Sequence, residues 1–158
     1  MRIALVLVLV AACSSPRQQT TQLPDDQARD LLVNRNWIDH WPTTKTDRIH
    51  VYRFVPNMGG GVFQDRTIFK GTFELFRFET ARDEIRFDLV ETDQKVTSKF
   101  RIDPIDGPHP FDLRLTVEAD PRGPQVYYGI RAETDADGHM LEQRLRALTP
   151  APAAATSE

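Results

Sequence analysis

The chain has 158 residues, of which 40% are hydrophobic and 27% charged, and its formal net charge at pH 7 is −3. This length suits one folded domain. A mildly acidic chain without a basic run offers no electrostatic partner to nucleic acid or to an anionic membrane surface. The single cysteine excludes an internal disulfide and a cysteine metal site.

The first 13 residues have the features of a secretion signal. A cation at Arg2 precedes an apolar run over residues 3–10, which is far shorter than the roughly 20 residues that span a bilayer. The segment resembles the end of bacterial lipoprotein signal peptides, where two small residues and a cysteine follow leucine or valine. The matching residues here are Val10, Ala11, Ala12 and Cys13. This resemblance implies that residues 1–12 are removed and that Cys13 becomes the acylated first residue.

The same resemblance implies a location in the cell. Several acyl chains, each methylene contributing about 0.8 kcal/mol when buried, form a stable membrane anchor. Ser14 after the cysteine, in place of aspartate, resembles the outer-membrane sorting signal of Gram-negative lipoproteins. We therefore expect a protein of the cell envelope that is lipid-anchored to the periplasmic face of the outer membrane.

The mature chain begins with a polar segment and a helix. Residues 13–23 are rich in Ser, Thr and Gln and predict a flexible tether. Residues 24–35 predict a short amphipathic helix, because aspartates stand at its start and Ala28, Leu31 and Leu32 follow helical spacing.

From residue 36 onward, apolar and polar residues alternate, as is typical of half-buried strands. The segments with this pattern are 49–55, 67–78, 85–89, 96–102, 111–117 and 126–130. Turn-forming residues separate them at 58–61, 80–83, 92–94, 103–110 and 120–123. Short loops between alternating strands predict antiparallel neighbours in sequence order.

The last segment, 138–148, allows two interpretations. Its leucines fit one face of a helix built from good helix formers. The preceding Asp137-Gly138 pair signals a hairpin, and the apolar and charged residues after it also alternate, so we favour a final strand. Residues 149–158 are rich in Pro and Ala and predict a disordered tail.

Seven or eight antiparallel strands favour closure, which removes exposed sheet edges. We therefore predict an all-β, up-and-down barrel of about eight strands over residues 24–148, with a two-sheet sandwich as the alternative. The order of elements resembles the calycins, the lipocalin-like barrels. The residues that carry this resemblance are Trp37 after a helix, Tyr52-Arg53-Phe54, the run 71–75 and Arg144. In that group a tryptophan of the first strand packs beneath an arginine of the last, which implies a contact between Trp37 and Arg144.

Few residues suggest chemistry. The four histidines, His40, His50, His109 and His139, are scattered. Asp39-His40 and His50 could meet across a first hairpin, although surface histidines are the favoured interpretation. No Gly-x-Ser-x-Gly elbow or phosphate-binding glycine loop is present in the sequence. We expect no enzyme activity, no cofactor and no metal.

Two functions follow from the barrel. An eight-stranded barrel has room for one small ligand, and an apolar ligand would suit the side chains predicted to face inward. The predicted ligand-binding residues are Phe73, Leu75, Arg77, Phe87, Phe100, Leu115 and Tyr128. These large side chains could instead fill the barrel, and Arg77 could lie at its mouth rather than against a ligand carboxylate. The alternative function is an accessory lipoprotein whose outer surface or loops, especially 56–61 and 104–110, contact another envelope protein.

Overall fold

The computed structural model describes residues 23–33, 35–107, 110–130 and 140–148. The predicted signal peptide, Cys13, nearly all of the tether and the C-terminal tail lie outside these residues. The elements in chain order are α1 (Asp25–Leu32), β1 (Asn36–Ile38), β2 (Ile49–Val55), a 3-10 turn (Pro56–Met58), β3 (Gly60–Arg66), β4 (Gly71–Ala81), β5 (Glu84–Leu89), β6 (Gln94–Pro104), β7 (Leu113–Val117), β8 (Val126–Gly129) and α2 (Met140–Leu148).

The eight strands form a closed antiparallel barrel in which each strand pairs with the next one along the chain. The last strand returns to the first, where Ile38 of β1 lies opposite Tyr128 of β8. The predicted up-and-down barrel is therefore confirmed, and the sandwich alternative is wrong. Closure leaves no long open sheet edge, which is how this class of fold avoids pairing with other chains.

Helix α1 packs against the barrel through the face that the sequence predicted. Ala28 and Leu32 are buried in the same apolar cluster as Trp37 and the interior of the barrel. The indole Nε1 of Trp37 donates to the carbonyl of Leu32 at 2.9 Å, so one of the unpaired carbonyls at the end of the helix gains a partner. This bond fixes the helix to the first strand.

The structure describes other partners for Trp37 and Arg144, whose predicted contact stays a prediction. The cation over the Trp37 ring is Arg35, with its guanidinium carbon 5.9 Å from the ring centre, and Arg35 also donates to the carbonyl of Ile130 at 3.2 Å. Arg144 instead donates its Nε proton to the carbonyl of Pro42 at 3.0 Å. The arginine near the tryptophan comes from the start of the barrel, two residues before it in sequence.

A second apolar cluster covers the outside of β1, β2 and β8. Its buried members are Ile38, Ile49, Val51, Phe111 and Ile130. Ile38 follows the inward Trp37 and Val51 precedes the inward Tyr52, and successive strand residues point to opposite faces. These strands are thus buried on both faces, so their sequences lack a consistent wet side.

Several elements differ from the sequence predictions. Residues 67–70, which were predicted to belong to a strand over 67–78, form the loop between β3 and β4. Gly60 and Gly61, predicted to lie in a turn, are the first residues of β3, where a Cβ on Gly61 would stand 2.3 Å from the Phe76 ring. Residues 138–148, for which a final strand was favoured, contain helix α2 instead. With β8 already paired to β1, the closed sheet offers no edge for a further strand. The predicted hairpin at 137–138 lies outside the described residues.

Candidate functional site

The interior of the barrel is filled by aromatic side chains around Tyr52. Its ring lies 4.8 to 6.1 Å, centre to centre, from five other rings, those of Phe54, Phe63, Phe76, Phe87 and Tyr127. All six residues are buried. Most of these contacts are edge-to-face or tilted, geometries that aromatic rings favour over direct stacking. The filled interior agrees with the interpretation in which large residues occupy the barrel.

A carboxylate closes this aromatic interior. Asp120, in the loop between β7 and β8, accepts hydrogen bonds from the hydroxyls of Tyr52 and Tyr127, both at 2.8 Å. The same carboxylate accepts the backbone N–H of Arg122 at 2.8 Å. We call Asp120, Tyr52 and Tyr127 the Asp120 clamp. It satisfies the polar ends of two buried tyrosines, which would otherwise be costly inside the core.

Burial governs the electrostatics of the Asp120 clamp. Desolvation raises the pKa of Asp120 above its ordinary value, against the opposing effect of its hydrogen bonds from Arg122, Tyr52 and Tyr127. Desolvation, and then the nearby Asp120 carboxylate, raise the pKa of both tyrosines. The two phenols therefore stay protonated at all ordinary pH values and act as hydrogen-bond donors. This arrangement is suited to holding a loop in place rather than to proton transfer.

Arg122 enters the barrel from the same loop. Its side chain is only 5% exposed and forms an ion pair with Glu74 of β4. The guanidinium lies over the rings of Phe63 and Phe76, at 5.7 and 5.5 Å, where a cation is attracted to the aromatic faces. Burial lowers the pKa of Arg122. The barrel is thus closed by a side chain of its own loop, together with that side chain's counter-ion.

The first hairpin brings Asp39, His40 and His50 together, as the sequence suggested. Asp39 accepts from the Nδ1 side of His50 at 2.7 Å and from the backbone N–H groups of His40 and His50. On the other side of His50, Asp65 lies 3.8 Å from Nε2. Among the described residues, no group of three or more His, Cys, Asp or Glu side chains has the geometry of a metal site. His109 and His139 lie outside that part of the chain.

The predicted ligand-binding residues divide between the two faces of the sheet. Phe87, Phe100 and Leu115 are buried inside, as predicted. Phe73 and Leu75 are 59% and 62% exposed on the outer face of β4. The prediction that they face inward is wrong, because β4 carries apolar residues on both of its faces, and Phe76 and Phe78 occupy the inner one.

The other two predicted residues also lie outside the interior. Arg77 keeps the orientation of Phe73 and Leu75, and its side chain is 74% exposed, 4.0 Å from Asp88. Tyr128 packs in the outer cluster and stacks on Phe111 at 5.4 Å, while Tyr127 takes the inner position. The inward placement of Tyr128 is therefore wrong, whereas Arg77 has its charged head in water, as the alternative to an inward arginine predicted. Cys13 lies outside the described residues, so its acylation stays a prediction.

Sequence reasoning missed the residues that close the barrel. Asp120 and Arg122 belong to a segment predicted only as a turn, and the segment does form the loop between β7 and β8. Its side chains contact strands far away in the sequence, such as Tyr52, 68 positions from Asp120. Local periodicity carries no signal for such contacts.

The fold defines the chain as a small, closed, eight-stranded up-and-down barrel. A comparison with protein families, curated proteins and solved structures finds no match to this chain. Within the described ranges from residue 23 to residue 148, no helix is long and apolar enough to cross a membrane.

Proposed function

We propose that the chain is a lipid-anchored, non-enzymatic accessory protein of the cell envelope, and that its barrel is a rigid carrier for an external protein-binding surface. The anchor rests on the box at Val10 to Cys13. One observation supports the external surface: the barrel interior is filled, while large apolar side chains of β4 are exposed outside. An exposed apolar patch on a soluble domain is typical of an interaction site.

The exposed side chains border a groove on the outer face of β3 and β4. This outer groove has a volume of about 360 Å³ and is lined by Val55, Val62, Leu75, Val90 and the backbone of Gly60 and Gly61. Arg77 lies at its rim. A partner that inserts one apolar side chain, next to a carboxylate that meets Arg77, would complement this shape and charge.

Site-specific photo-crosslinking in the intact envelope tests this proposal. A photoreactive residue at Leu75 should give one discrete protein adduct. The same residue at Ala81 should give none, although Ala81 is also exposed on the same strand and the same face. An adduct at twice the mass of the chain would identify the partner as a second copy. Equal adducts at both positions, or none at either, would contradict the proposal.

Binding of a small apolar ligand inside the barrel stays a prediction. A ligand there would have to displace the rings around Tyr52. Native mass spectrometry of the chain purified from its envelope is the direct measurement. A stoichiometric small molecule released on unfolding would establish the ligand-carrier function, and a bare mass would leave the outer groove as the functional surface.

A further inference from the structure

The loop between β3 and β4 presents an aromatic side chain in a fixed direction. We call residues 66–70 the β3–β4 tip. Phe69 is 63% exposed there. The Thr67 hydroxyl accepts the backbone N–H groups of Phe69 and Lys70 at 3.2 and 3.3 Å, and the Thr67 N–H donates to the Lys70 carbonyl at 2.8 Å. Ile68 packs against the outer apolar cluster. Phe69 is thus held away from the protein by a closed turn rather than left exposed by a loose one.

Three cations surround this tip. Arg48, Arg66 and Lys70 line one depression of about 350 Å³. A single carboxylate lines it with them, that of Asp65, which pairs with Arg48. The pairing of β2 with β3 places Ile49 opposite Arg66 and so brings Arg48 to the tip. The acidic composition and the lack of a basic run in the sequence predict no basic cluster. The fold assembles one from positions that the sequence keeps apart.

The combination of an exposed aromatic ring and cations in one rigid loop fits the interface of a lipid bilayer better than a soluble anion. A soluble anion would satisfy the cations but would leave Phe69 in water. At the interface of a bilayer, an aromatic ring finds an apolar environment while neighbouring cations meet lipid phosphates. Phe73, exposed on the next strand, adds apolar area beside the tip.

We propose that the β3–β4 tip docks on an anionic phospholipid surface, with Phe69 inserted at the interface and Arg48, Arg66 and Lys70 against lipid phosphates. This contact is separate from the outer groove and from the acyl anchor. It would fix the orientation of the barrel on the membrane, which a flexible tether alone does not do. Each basic residue near an anionic surface strengthens binding by about fivefold, and burial of the Phe69 ring adds roughly tenfold or more.

Tryptophan quenching by brominated lipids tests the proposal on the full chain purified from its envelope. The probe is Phe69→Trp, and the matched control is Ala81→Trp, at the far end of the eleven-residue strand β4, about 30 Å away. Each variant is placed in vesicles of phosphatidylcholine alone or mixed with phosphatidylglycerol. The signal of the unsubstituted chain, which contains two tryptophans, is subtracted. An intact mass measured first shows whether Cys13 carries acyl chains, so a failure of the anchor is distinguished from a failure of the docking.

The tryptophan at position 69 should be quenched in the phosphatidylglycerol vesicles and much less in pure phosphatidylcholine. Adding Lys70→Gln should weaken the docking by about fivefold, and high salt should do the same. The tryptophan at position 81 should stay unquenched in both. Equal quenching at the two positions, or none at position 69 in the anionic vesicles, would overturn the proposal and would direct attention to an acidic protein as the partner of the tip.

Discussion

Replacing Asp120 by alanine should destabilise the fold more than the replacement of a partly buried loop residue normally does. The substitution removes the acceptor of two buried tyrosine hydroxyls, each bonded at 2.8 Å. A buried donor left without a partner costs about 1–3 kcal/mol, so the loss of the acceptor for two donors should lower the free energy of unfolding by about 2–6 kcal/mol. That is a large part of the roughly 5–15 kcal/mol that holds a domain of this size together. Urea unfolding followed by fluorescence measures the loss.

A compensated variant separates the lost hydrogen bonds from other effects of the substitution. When Tyr52→Phe and Tyr127→Phe are added to Asp120→Ala, no buried hydroxyl remains to be satisfied. Removing both partners of a hydrogen bond is often nearly neutral, so the triple variant should regain most of the stability. If the triple variant unfolds as easily as Asp120→Ala, or if Asp120→Ala costs less than about 1 kcal/mol, the reasoning about the Asp120 clamp is refuted.

Three further predictions follow from the interior and the two faces of the sheet. Gly61→Ala should cost about 1–3 kcal/mol in urea unfolding, because the new Cβ would stand 2.3 Å from the Phe76 ring; an unchanged midpoint would contradict the close approach. Phe87→Ala should lower the free energy of unfolding by about 3–5 kcal/mol and Phe73→Ala by less than about 0.5 kcal/mol, since only Phe87 is buried. Equal losses would contradict the placement of Phe87 inside the barrel and Phe73 outside it. Burial raises the pKa of Asp120 above 3.8, so the folded chain binds a proton at Asp120 more tightly than the unfolded chain does. The resulting stabilisation is lost as pH rises through the raised pKa. The free energy of unfolding of the unsubstituted chain, relative to that of Asp120→Asn, should therefore fall as pH rises from about 4. A difference between the two chains that does not change with pH would show that Asp120 does not titrate in this way.

The closed barrel was predictable because several strands bury one face and expose the other to solvent. In β5, Ile85, Phe87 and Leu89 are all buried, as their alternation with Arg86 and Asp88 predicts. Periodicity alone therefore located most strands and their antiparallel order. It also left a tightly filled interior as an alternative, because many of the residues predicted to face inward are large.

The orientation of β4 and β8 was not predictable by the same means. In β4, Phe73 and Leu75 compete with Phe76 and Phe78 for the interior, and period 2 fits both pairs. In the structure Phe76 and Phe78 lie inside, and Glu74 pairs with Arg122 of a distant loop. Strand β3 begins with two glycines, which local rules assign to a turn. The contacts of these strands with Phe76 and Arg122 come from other parts of the chain, where local periodicity carries no signal.

The Asp120 clamp also bears on the order in which the chain folds. It joins Tyr52 and Asp120, which are 68 residues apart, and the entropic cost of closing such a loop precedes any gain from its hydrogen bonds. The clamp therefore belongs to the end of the folding reaction, after the strands between these residues have paired. Interactions that form late chiefly affect the rate of unfolding. The clamp should thus slow the unfolding of a finished barrel and contribute little to how fast an unfolded chain begins to fold.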